Sequence, residues 1–166
     1  MIVLALIKKA FDFDKEVTAL SRNLGISRDA AMDMRVSFGK FATDTKTSGV
    51  RVSELVKAQE ELSNATGMSA QFSNDMLASH VKLVKFYGLT NKEASNLSIY
   101  TKSTGTNVED LKKDAVKVVH QFNKVTGTSI NFRDVVKDIS NLSEEIKVQF
   151  KGNNIELTKA VTLARA

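Results

Sequence analysis

The stretch that decides the fold reads Tyr87-Gly88-Leu89-Thr90, a helical run, Thr104-Gly105-Thr106-Asn107-Val108, a second helical run, then Thr126-Gly127. Glycine reaches the left-handed backbone region that commonly closes a helix. Within a few residues of each glycine stands a polar residue able to start the next one. Thr90 is suited to cap a helix, with Glu93 three residues on to complete a capping box. Thr106 and Glu109 are expected to repeat the arrangement. Stop and start compressed into so few residues predict tight helix–helix corners.

Working outward, the same grammar recurs. Leu24-Gly25-Ile26-Ser27-Arg28-Asp29-Ala30 matches Tyr87-Gly88-Leu89-Thr90-Asn91-Lys92-Glu93-Ala94, with one residue inserted before the alanine. Ser48-Gly49-Val50-Arg51-Val52-Ser53-Glu54-Leu55 resembles the Thr104–Leu111 stretch. Ala65-Thr66-Gly67-Met68-Ser69 resembles Val125-Thr126-Gly127-Thr128-Ser129. Gly25 to Gly88 and Gly88 to Gly152 are nearly equal intervals of about 63 residues. The expected fold is all-α, with structural corners at Gly25, Gly49, Gly67, Gly88, Gly105, Gly127 and Gly152. Residues 1–24 are read as an N-terminal heptad helix, 25–87 and 88–151 as two three-helix repeat units, and 152–166 as the start of a further helix.

Apolar spacing fills in the helices. Val3, Leu6, Ala10, Phe13, Val17, Leu20 and Leu24 form a heptad seam, expected to pair with a helix of the same chain. Ser27 caps the next helix, whose apolar side is Ala31, Met34, Phe38, Phe41 and Thr45; Gly39 lies off that face, and Thr47-Ser48-Gly49 is its stop. A short helix capped by Ser53 follows, ended by Thr66-Gly67. Phe72, Met76, His80, Leu83, Val84 and Tyr87 trace another. Val108, Leu111, Ala115, Val118, Phe122 and Val125 give a clear face in the second unit. Phe132 to Phe150 gives one more, capped by Asn131; Asn141-Leu142-Ser143 is a weak spot in it, through which the apolar spacing continues. The last helix runs to the C-terminus without a capping glycine, as expected of a cut inside a longer protein.

Composition agrees with a succession of helices. The 166 residues contain no proline and no cysteine, and 42% are hydrophobic. Disulfides and thiolate metal sites are excluded. The net charge is +5, but acids and bases alternate, and no block of like charge marks a nucleic-acid tail. Ile2–Ile7 is apolar but ends at Lys8-Lys9, far short of the ~20 residues that span a bilayer. It lacks the charged leader of a signal peptide and reads as the buried end of a helix.

Candidate chemistry is sparse. His80 and His120 are the only histidines, and neither has a carboxylate or second histidine at the i, i+4 spacing of a helical zinc site. A structural role is expected for both. Asp12-x-Asp14 lacks the downstream glycine and glutamate of a calcium loop. Glu144 and Glu145 point about 100° apart on a helix and do not converge. No glycine-rich phosphate loop and no nucleophile elbow is present. The aromatics fall at core spacing, and the few arginines are scattered, so nucleic-acid recognition is not indicated. The expectation is no catalytic, cofactor-binding or metal residue, and no enzymatic activity.

The segments Phe13-Asp14-Lys15-Glu16-Val17 and Leu20–Ser27, with the later Gly-Leu-Thr and Thr-Gly-Thr corners, resemble the helical repeat regions of tailed-phage tape measure proteins. The resemblance covers the chain from about residue 11 onward. It implies a structural role in virion assembly: filling the tail tube, setting tail length, and leaving when DNA is delivered. It also implies a place in the virion tail, with other tail proteins and copies of the chain as partners. Peptidoglycan hydrolases and membrane-active segments carried by some members have no counterpart here. The alternative is a helical-repeat scaffold that binds a partner protein, with a cytoplasmic location.

Overall fold

The computed structural model describes residues 2–44, 49–69 and 71–166, with side chains from residue 7 onward. The described residues form nine α-helices and no strand. In chain order these are α1 Ile2–Leu24, α2 Arg28–Thr43, α3 Val52–Thr66, α4 Asn74–Tyr87, α5 Asn91–Ser103, α6 Val108–Thr126, α7 Phe132–Asn141, α8 Glu144–Gln149 and α9 Asn154–Arg165. All seven corner glycines adopt positive φ, and Gly39 is helical inside α2.

Local chemistry explains most boundaries. Thr90 Oγ1 accepts from the Glu93 N–H at 3.3 Å, while Glu93 Oε2 accepts from the Thr90 N–H at 2.8 Å. Both halves of the capping box at α5 are therefore closed. Ser27 caps α2 through the Ala30 N–H, and Asn131 caps α7 through the Arg133 N–H.

Four expectations shift. The α3 cap is Arg51, not Ser53: Glu54 reaches back to the Arg51 N–H at 2.8 Å, so the helix starts earlier and Ser53 lies within it. The α6 cap is Asn107, not Thr106. Asn107 Oδ1 takes the Asp110 N–H at 2.8 Å, and the Thr106 hydroxyl is engaged by that of Thr104 at 3.0 Å. Asparagine is the stronger cap of the two. The run from Phe132 to Phe150 breaks: Leu142 is extended, and Ser143 caps the separate α8 through the Ile146 N–H. Finally, α4 starts at Asn74, so Phe72 is buried in the lead-in, where Gln59 Oε1 accepts its N–H at 3.1 Å. Helix α2 ends at Thr43. Thr45 and the Thr47-Ser48 part of its expected stop lie outside the described residues, as do the side chains of Val3 and Leu6.

The chain divides into two compact units, Met1–Lys82 and Leu83–Ala166, with the division inside α4. In the first, α1, α2 and α3 pack on one another. Val17, Leu20 and Leu24 of α1 are buried, as are Ala31, Met34 and Phe38 of α2 and Leu55, Val56 and Leu62 of α3. Ion pairs Arg28–Asp14 and Arg35–Glu16 tie α2 to α1, and the Arg35 guanidinium lies 5.1 Å from the centre of the Phe13 ring. Among the described side chains of the heptad seam, Val17, Leu20 and Leu24 are buried, Phe13 is half-buried and Ala10 is exposed, as are residues 7–12 around it.

In the second unit one core joins Leu83, Leu89, Leu97, Tyr100, Leu111, Ala115, Val119, Val135, Val136, Ile139, Leu157 and Val161. Helix α9 packs on α6 and α7, and α5 on α6 and α7. The terminal helices are thus integral to their units: α1 rests on the segment read as residues 25–87, and α9 on that read as 88–151. Val17, Leu20 and Leu24 of α1 and Leu157 and Val161 of α9 are the apolar residues these helices bury, the hydrophobic term that dominates packing.

Candidate binding surface on helix α6

Helix α6 has two faces. Val108, Leu111, Ala115, Val118 and Val119 are buried. Lys113, Lys117, His120 and Lys124 stand at i, i+4, i+7 and i+11 and are all exposed. At about 100° per residue these four fall within a sector of about 60°, along about 16 Å of axis.

Beside this stripe lies an open groove of about 420 Å³. Val116, Val119, His120 and Asn123 of α6 form one wall, and Ser129, Ile130, Asn131 and Phe132 the other. His120 belongs to both stripe and groove. Gly127 closes α6 with φ 71°, turning the chain back so that residues 128–131 run beside the helix. Asn123 holds that return. Its Oδ1 accepts from the Ile130 N–H at 3.0 Å and the Thr128 hydroxyl at 2.9 Å, and its Nδ2 donates to the Ile130 carbonyl at 2.8 Å. Phe132 packs edge-on against Tyr87, ring centres 6.1 Å apart and planes at 86°. The groove therefore has an aliphatic and phenyl lining, a fixed polar rim and a positive edge.

His80 lies elsewhere, in the first unit. Its Nε2 is 2.9 Å from Oε2 of Glu61 on α3, and the residue is 1% exposed. Burial pulls its pKa below the ordinary 6.5, against the opposing pull of Glu61. Nδ1 is buried without a hydrogen-bond partner. An imidazole so enclosed does not present its nitrogens to a substrate. Nothing in the sequence marked Glu61 as its partner, because the two residues meet only through helix packing.

The other acidic residues singled out in the sequence are dispersed. Asp14 pairs with Arg28, Asp12 is exposed, and Glu144 bonds Lys147 at 2.9 Å. Among the described residues no group of three or more His, Asp or Glu side chains is placed to hold a metal ion. Likewise, no helix is long and apolar enough to cross a membrane.

The described residues thus form an all-α fold of two helical units, with a basic, groove-flanked face on α6. Compared with family models, curated proteins and solved structures, the chain matches none.

Proposed function

We propose that the chain is a structural spacer, a segment of a tail tape measure protein whose helical units contribute length and packing surface. The observation that carries this reading is the recurrence of one device, a capped helix closed by a left-handed glycine, through two consecutive units of similar size. On this reading α2–α4 correspond to α5–α7, with α8 added in the second half. A spacer needs repeatable length and sides that pack on neighbours; it needs no converging titratable groups. The tail tube, other tail proteins and further copies of the chain are the partners this role requires.

Tail length tests the proposal. In virions whose tape measure carries this segment, in-frame deletion of Leu83–Ala166 is expected to shorten every tail by one fixed amount. For these 84 residues the upper limit is about 126 Å, at ~1.5 Å per residue of continuous helix. Electron micrographs measure it directly. Functional virions with unchanged tails would reject the spacer role. A second reading, a partner-binding scaffold, is favoured by the α6 groove.

A further inference from the structure

We propose that the exposed face of α6 is a docking site for an acidic amphipathic peptide segment of a partner protein. Lys117 and Lys124 take its carboxylates, and the adjoining groove takes one bulky apolar side chain.

Charge complementarity selects the acidic occupant. Lys113 is partly answered by Asp110, 3.7 Å away. Among the described residues Lys117 and Lys124 form no ion pair. They stand seven residues apart, two turns on the same face, or about 10.5 Å. Carboxylates two turns apart on a helix laid alongside would meet both. The acids of α6 near this face, Glu109 and Asp110, lie in its first turn, and Asp114 is on the flank. The positive potential is therefore concentrated in the half of α6 that borders the groove.

The groove supplies the second requirement. Val116 is 41% exposed at its edge, on the side of the stripe that faces Asn123, one turn before His120. Val119, Ile130 and Phe132 supply apolar wall behind it. An apolar side chain placed there would cover surface now open to water, a gain of about 25 cal/mol per Å². Because Asn123 fixes the opposite wall, little ordering is needed on binding.

The same features disfavour a nucleic acid. No arginine lines the groove to fork onto phosphate. Its one aromatic residue is packed edge-on against Tyr87, so it is a wall and not a stacking platform. This docking role is independent of the spacer role, and either can fail alone.

Fluorescence anisotropy with the full chain tests it. The probe is a labelled twelve-residue peptide of glutamates with leucine and phenylalanine at helical spacing. Saturable binding at low salt is expected. Lys117→Glu with Lys124→Glu should weaken it at least tenfold, and Val116→Glu by a similar factor. All three positions are exposed, and circular dichroism melts should coincide with the parent protein. A control peptide with serine in place of the apolar residues should bind at least tenfold more weakly. Absence of binding would overturn the proposal. So would equal binding of the serine peptide, which would mean bare polyanion attraction, or tighter binding of a twelve-nucleotide single-stranded DNA.

Discussion

His80 Nε2 and Glu61 Oε2 lie 2.9 Å apart between α4 and α3, while the second imidazole nitrogen is buried with no hydrogen-bond partner. With its proton on Nε2, the neutral imidazole donates to Glu61 and leaves the Nδ1 lone pair unpaired. A second proton would be buried on Nδ1 without an acceptor, and burial lowers the His80 pKa from 6.5 accordingly.

The pH dependence follows from that direction. As pH falls below 6.5 the unfolded chain takes up a proton at His80 and the folded chain does not. Stability from this group is complete above that value and is lost as pH falls through the window beneath it. The urea midpoint should drop between pH about 7.5 and about 5.5. His80→Gln, uncharged throughout, should make the drop smaller. An unchanged drop in the variant would remove His80 from the explanation.

Asn123→Ala should loosen the α6–α7 turn. The amide makes three hydrogen bonds to Thr128 and Ile130. At about 1 kcal/mol each, discounted for water access at a half-buried site, the loss should be about 2 kcal/mol. Hydrogen exchange should show the Ile130 amide losing protection before those of the α6 core. Protection equal to the parent's would count against the anchor.

Two corner glycines should respond unequally to alanine. Gly105 has φ 69° and open space around the position of a Cβ, so Gly105→Ala should cost about 1–2 kcal/mol for the left-handed backbone alone. Gly152 has φ 78°, and a Cβ there would lie 3.2 Å from Thr104 Cβ and 3.3 Å from the Thr104 carbonyl oxygen. Gly152→Ala should therefore be the more destabilising in denaturant melts. The reverse order would contradict the contact.

Lys147 is wholly buried, its Nζ reaching the Ser140 carbonyl at 3.3 Å and Glu144 at 2.9 Å. Glu144 is largely exposed, so the ion pair is partly screened and the packed stem should matter more. Lys147→Met should stay within about 1 kcal/mol of the parent, and Lys147→Ala should lose about 2 kcal/mol or more. Equal losses in calorimetry would show that the charge dominates.

The local grammar was decided by sequence alone. Gly25, Gly88 and Gly127 stop helices, and Thr90 with Glu93 starts one, through interactions spanning about four residues; neighbours along the chain suffice for these. The all-α class follows from many such signals agreeing. Where two local signals competed, side-chain partners settled the boundary: Asn107 over Thr106, and Ser143 as a cap over the continuing apolar spacing. Tertiary structure alone decided the rest. It set α1 on α2 and α3, and α9 on α6 and α7, making the terminal helices parts of their units. It joined His80 to Glu61, 19 residues away, and buried Lys147. It also folded Ser129–Phe132 back beside α6, turning a row of surface lysines into the edge of a groove. Such contacts depend on how faces meet after the corners have turned, and helical periodicity specifies which face is apolar without naming the face it will cover.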